Sequence, residues 1–248
     1  MDEKTQSHQE VEYNLNEAIR VRGDIYAFLS RGYKKEVDED YLRNIEEIVP
    51  ALERLSADSE DEVLNDGVKC LKEFVGSIQD RPEMLEELNR RYTTLFLGVG
   101  YKDTVDHVNP FESVYLSPEH LVMQEQRDEV VEFYARFGMG VNKEDFKEPE
   151  DHICAELSFI SGMSNLTLTD LGEGDTKEAV EKLKAQKEFM FGHLLRWVHL
   201  LCKDLREAAK EGFYKSLADI TMGFVRMDIK FLEGMIEMIE EQNKKKVS

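Results

Sequence analysis

The run EDFKEPED, Glu144 to Asp151, places five carboxylates and one lysine directly before His152. Two kinds of chemistry fit this density. One is a solvated loop leading into a helix whose first turn is charged to complement the macrodipole. The other is a cation-binding mouth, in which carboxylates take arginine guanidinium groups in bidentate fashion, and paired arginines would suit it. His152 and Glu156 stand four apart and share a helix face, a spacing that serves a metal ligand pair or an ordinary intrahelical contact. No second histidine at i+4 completes a zinc motif, and the two Glu-x-x-His elements of a di-iron bundle are missing. His193 and His199 are six apart, about 600° around a helix and so roughly 120° off a common face, which predicts packing over ligation. The sequence has no GxSxG elbow, no Walker loop and no GxGxxG, and none of its cysteines has a recognisable catalytic context.

The elements that must carry these residues read as helices. Only five prolines occur, and the segments between them carry apolar residues at three- and four-residue spacing with little strict alternation. The pattern predicts an all-α chain of about eight to ten helices, near 10–30, 38–55, 60–77, 82–97, 118–137, 149–166, 176–209 and 213–242. Ser117 is placed to cap and Pro118 to fill the first turn of the fifth of these, with Gly138 closing it in a left-handed conformation. Pro149 likewise suits a first turn. The stripe Phe189, Met190, Leu194, Trp197, Leu200 and Leu201 has the spacing of a core face, with an apolar peptide groove as the alternative. GVGYKDTVDHVNPF, Gly98 to Phe111, is too rich in glycine, aspartate and asparagine to continue a helix and predicts a hinge. The expected organisation is one helical domain over 1–248, in which a hinge loop, 98–116, joins an N-terminal helical segment, 1–97, to a C-terminal one, 117–248.

Charge narrows the partners. Lysine plus arginine number 32 and aspartate plus glutamate 52 among 248 residues, a formal charge of −20. Such a chain repels phosphate backbones and anionic lipid faces and steers cationic partners toward itself, so neither nucleic acid nor membrane insertion is expected. The opening residues MDEKTQSHQE have neither a basic n-region nor an apolar h-region, which predicts a cytoplasmic protein. Cys70, Cys154 and Cys202 are odd in number and far apart, so reduced buried thiols are expected in place of a disulfide framework. The longest apolar stretch, FMFGHLLRWVHLLC from Phe189 to Cys202, holds two histidines and Arg196 and is shorter than the roughly 20 residues of a bilayer span.

Several separated blocks resemble the TorD/DmsD family of molybdoenzyme chaperones, to which the nitrate-reductase assembly proteins are related. RRYTTLFLG, Arg90 to Gly98, resembles the family's Tyr-x-x-Leu-Phe-x-Gly helix end. NPFESVYLS, Asn109 to Ser117, resembles its Pro-x-Glu-Ser-Val-Tyr loop. EPEDHICAELSFI, Glu148 to Ile160, resembles its Glu-Pro-x-Asp-His helix start followed by Glu-Leu. FMFGHLLRWVHLL and FYKSLADITMGFVRMD follow in order as weaker blocks, so that the likeness covers more than half the chain, while the first 80 or so residues match in helical character alone.

The resemblance implies a non-enzymatic cytoplasmic chaperone that binds the twin-arginine leader, and the immature body, of a molybdopterin-containing oxidoreductase and holds it for cofactor insertion before export. No metal or other cofactor of the chaperone's own is expected, and the chain is expected to be a monomer or homodimer. Carried over residue by residue, the peptide-binding set is Asp151 and His152 as the signature pair, Pro149 shaping their loop, and Pro110, Glu112 and Ser113 on the facing loop. At an exposed helix start, Asp151 and His152 would be direct leader contacts; the alternative is that they cap and shape. Two rival functions remain open: a helical metalloprotein or metalloenzyme using His152 and Glu156, and a general acidic adaptor.

Overall fold

The computed structural model describes residues 3–98 and 107–247. The chain runs through α1 (Glu3–Lys34), α2 (Glu39–Ala57), α3 (Glu62–Gly76), α4 (Arg81–Leu97), α5 (Glu112–Leu116), α6 (Glu125–Ala135), α7 (Ile153–Glu173), α8 (Thr176–Phe189), a π-helical turn (Met190–Leu194), α9 (Leu195–Ala209) and α10 (Gly212–Val247). Strand pairing among the described residues is confined to one isolated antiparallel bridge, Phe111 to His152. The all-α expectation therefore stands. Three aspartates set the early helix starts: Asp38, Asp61 and Asp80 accept from backbone N–H groups of the first turns of α2, α3 and α4.

α1 packs along α7, and α10 packs along α3 and α9, so the sequence before and after the middle of the chain contributes to one core. Close approach of α3 and α10 depends on two glycines. A Cβ on Gly67 would lie 2.7 Å from Asp219 Cβ, and one on Gly223 would lie 2.6 Å from Leu64 Cβ. The stripe on the eighth and ninth helices is core, with Phe189, Met190, Leu194, Trp197 and Leu201 fully buried. No helix among the described residues is long and apolar enough to cross a membrane.

A buried polar network ties four helices together. Arg22 on α1 grips Asp228 on α10 with both faces of its fork, Nε to Oδ1 at 2.7 Å and Nη2 to Oδ2 at 2.8 Å. Its remaining nitrogen donates to Ser164 Oγ on α7 at 2.8 Å and to Gln186 Oε1 on α8 at 2.5 Å. Tyr26 donates to Asp228 Oδ2 at 2.7 Å. Arg22 and Asp228 are 2% and 1% exposed, so the pair satisfies nearly all its hydrogen-bonding capacity without water.

Two expected boundaries are corrected. The helix expected over 118–137 begins only at Glu125, because Ser117 closes α5 with an N–H bond to Ser113 O and the chain then turns through His120 and Met123, both at positive φ. Gly138, φ 64°, does follow the end of α6 as expected. The helix expected from 149 begins at Ile153: Pro149 lies in a turn closed by the His152 N–H to Pro149 O, and His152 is the capping residue. The long helix expected over 176–209 has those ends, with a π-helical turn, Met190–Leu194, inside it. The expected hinge at 98–111 falls mainly on 99–106, outside the described residues.

Candidate functional site

The six residues expected to bind peptide converge where the α5 loop meets the start of α7. Glu112 N–H donates to Asp151 O at 3.0 Å and Ile153 N–H to Pro110 O at 2.9 Å, which makes the isolated bridge. α5 starts at Glu112 after Phe111, which provides no side-chain cap, so a first-turn N–H needs a partner from elsewhere. Asp151 provides it: Oδ2 accepts from the Ser113 N–H at 2.9 Å and also from Ser113 Oγ. The next residue caps the next helix. His152 Nδ1 accepts from the Cys154 N–H at 3.0 Å, with its ring edge-on between Phe111 and Phe146 at 5.0 and 5.1 Å.

Burial decides what these side chains can do. Asp151, Glu112 and Ser113 are 0% exposed and His152 4%; Pro110 is buried and Pro149 half-buried. The expectation that Asp151 and His152 project from an exposed helix end is therefore corrected: each is turned inward to cap a helix. Burial pushes the His152 imidazole down to about 3, so it stays neutral at ordinary pH.

Beneath this clamp lies a second layer that residue spacing alone does not assemble. His193 Nδ1 meets Glu112 Oε2 at 3.0 Å while its ring stacks on Phe189, and Trp197 Nε1 donates to Glu156 Oε2 at 3.1 Å. His193 and Trp197 are four apart on one face, the signal by which sequence could have paired them. Burial, reinforced by the Glu112 and Asp151 carboxyls, holds Glu156 well above the usual carboxylate range. Burial also raises Glu112, against the opposing pull of His193. One oxygen each of Glu112, Asp151 and Glu156 has no protein partner, and burial beside two other carboxyls favours the protonated form of Glu156. His152 bonds the backbone of its own helix and Glu156 bonds Trp197, so the two do not form the pair their spacing suggested. Among the described residues no three histidine, cysteine, aspartate or glutamate side chains are grouped as a metal ion would require.

Outside the clamp the acidic run divides. Glu150 is engaged: Arg127 Nε lies 2.6 Å and Lys143 Nζ 2.9 Å from its carboxylate. Partial burial works against ionisation there, but these two cations outweigh it and bring the carboxyl down to about 2. Glu144, Asp145 and Glu148 are exposed. A cavity of about 280 Å³ opens beside Asp145, lined also by Lys34, Tyr134, Asn142, Phe146 and Ser158 among others. The arrangement is a rigid platform under an anionic loop and has no activated nucleophile.

The model of the nitrate reductase delta subunit family matches residues 57–203, more than half of the chain. Similar curated proteins include the chaperone protein TorD of Vibrio atlanticus, 28% identical over 86% of this chain and 95% of the relative. TorD of Aliivibrio fischeri is likewise 28% identical, over 86% and 95%, and TorD of Photobacterium profundum is 24% identical over 86% and 94%. The chain belongs to the TorD family of molybdoenzyme chaperones. Its place is accordingly that of a chaperone and not of an enzyme, in keeping with a site built from caps and carboxylates. The matched segment includes both loops of the clamp and the face that carries His193 and Trp197.

Proposed function

We propose that this chaperone binds the twin-arginine leader of a molybdopterin-containing oxidoreductase in the cytoplasm and holds the immature client until its cofactor is inserted. The observation that carries this is the division of the acidic run: the inner acids are spent on capping and ion pairing, while Glu144, Asp145 and Glu148 remain at the surface, Asp145 on the rim of a cavity. A guanidinium pair approaching this loop meets exposed carboxylates on a loop anchored by the clamp beneath it, geometry that suits bidentate pairing. Pro110, Glu112, Ser113, Pro149, Asp151 and His152 serve binding in this account as the frame that holds the loop, with Asp151 and His152 acting through the helices they cap.

The test is a titration of an Arg-Arg leader peptide against wild type and the double variant Glu144→Lys, Glu148→Lys at low and high salt. Exposed charges are screened over roughly 8 Å at physiological ionic strength, so wild-type affinity falls as salt rises. The variant binds weakly at both. An affinity that ignores salt and charge reversal alike overturns the acidic-mouth account.

A further inference from the structure

The turn between α5 and α6 exposes three consecutive apolar residues, Leu121 at 58%, Val122 at 42% and Met123 at 58%. The other large exposed apolar side chains, such as Leu97, Phe191, Phe231 and Met238, are separated along the sequence. A contiguous apolar tip of this kind marks an interaction surface more often than chance exposure does. Its backbone is held in a costly shape: His120 and Met123 adopt φ of 53° and 62°, a region that non-glycine residues avoid. Two hydrogen bonds fix the turn, His120 Nδ1 with Val114 O at 2.9 Å and Gln124 Nε2 with Val122 O at 3.0 Å.

The charges around the tip are of one sign. Glu119, Glu125 and Glu129 are exposed, and among the described residues none has a cation within ion-pair distance. Arg127, the one arginine or lysine between Ser117 and Glu132, is already taken by Asp128 at 3.0 Å and by Glu150 at 2.6 Å. The second of these bonds ties the first turn of α6, which follows the tip directly, to Glu150 of the acidic run.

We propose that the Leu121–Val122–Met123 turn is the seat for the apolar stretch that follows the arginine pair of a leader, the flanking acids selecting a segment in which apolar and cationic residues adjoin. This rests on the leader function proposed above and adds the apolar half of its recognition. Charge complementarity favours this turn over the other apolar concavity, a trench between α1 and α10 with cavities of about 380 and 260 Å³ that share Ala18 and Phe231. That trench has Lys230 on its wall, and its two acids are already paired, Glu17 with Arg20 and the buried Asp228 with Arg22, so charge there does not favour a cationic neighbour.

The experiment uses the full chain and two synthetic peptides, one with an Arg-Arg pair followed by a leucine- and alanine-rich stretch, the other with that stretch replaced by serine and glutamine. The variant Leu121→Ser, Met123→Asn alters only exposed positions, and asparagine tolerates the left-handed backbone. For the apolar peptide its affinity is expected to fall roughly tenfold or more, while the serine-glutamine peptide binds wild type and variant alike. Phe231→Glu in the trench leaves both affinities unchanged. If wild type binds the apolar peptide and the turn variant binds it equally well, the assignment of this surface is overturned while the leader function stands. Loss of affinity in Phe231→Glu alone moves the apolar seat to the trench and overturns it too. A turn variant that converts a wild-type dimer to monomer by light scattering, with peptide affinity intact, overturns it in favour of a self-association surface. If wild type binds neither peptide, the leader function itself falls, and the surface assignment with it.

Discussion

Replacing Asp151 by alanine separates the capping account from a surface-contact account. In the folded chain its carboxylate accepts from the Ser113 N–H at 2.9 Å and from Ser113 Oγ, with no solvent exposure. Removing it strands a buried backbone donor, which costs about 1–3 kcal/mol, while the hydroxyl can rotate and loses less, about 0.5–1.5 kcal/mol. Relief of repulsion with Glu112 and Glu156, both of which feel the Asp151 charge, offsets some of this. The expected net loss is about 1–4 kcal/mol, or on the order of 10 °C in melting temperature at the upper end for a domain of this size. An exposed aspartate acting only on the helix dipole would cost about 0.3–1 kcal/mol. Urea unfolding at neutral pH gives the difference directly, and Asp151→Asn, which keeps an acceptor for the Ser113 N–H, should recover most of the loss. A loss under about 1 kcal/mol in the alanine variant, or an asparagine variant no better than alanine, would refute the tertiary cap.

Other outcomes follow from the same geometry. His152 is held neutral down to about pH 3 when folded but titrates near 6.5 when unfolded, so its contribution is complete above 6.5 and is lost as pH falls from there toward 3. His152→Gln should flatten the stability profile across that window by up to about 1.4 kcal/mol per pH unit, checked by denaturant midpoints from about pH 4 to 7. Glu156 has the opposite sign: its raised carboxyl stabilises the fold below about 4.5, and that contribution is lost as pH rises. Glu156→Gln keeps an acceptor for Trp197 without the charge, so its stability at neutral pH should match or exceed wild type, within about 1 kcal/mol in urea unfolding. At the Arg22–Asp228 pair, Asp228→Ala alone should cost about 3–5 kcal/mol by leaving a buried guanidinium unpaired, whereas Arg22→Met with Asp228→Leu should recover much of it in calorimetry.

The helices are legible in the sequence where local chemistry decides them. Asp38, Asp61 and Asp80 mark their starts, and apolar spacing gives the buried faces that follow. The segment 118–137 misleads because Ser117-Pro118 is good cap chemistry, yet Ser117 instead ends α5. The positive φ of His120 and Met123 then delays the next helix to Glu125, and no glycine announces it. Asp151 reads as exposed because its neighbours are acids, and no local pattern reveals that its donor, Ser113, stands 38 residues earlier. The buried Arg22 network is invisible for the same reason: its partners Ser164, Gln186 and Asp228 come from three later helices. The six residues drawn from the family motifs converge in the structure because motif blocks mark segments that must meet, whether they meet a ligand or one another.

The central claim is that a twin-arginine segment, and not merely any cationic or apolar peptide, is what the anionic face receives. Isothermal titration of the full chain with a leader peptide and with its Arg-Arg to Gln-Gln counterpart, at one salt concentration, tests it most directly. Two charge-assisted bidentate contacts are worth about 1.5–3 kcal/mol each, so the arginine peptide should bind at least about tenfold more tightly. Equal affinity for the two peptides would contradict the account.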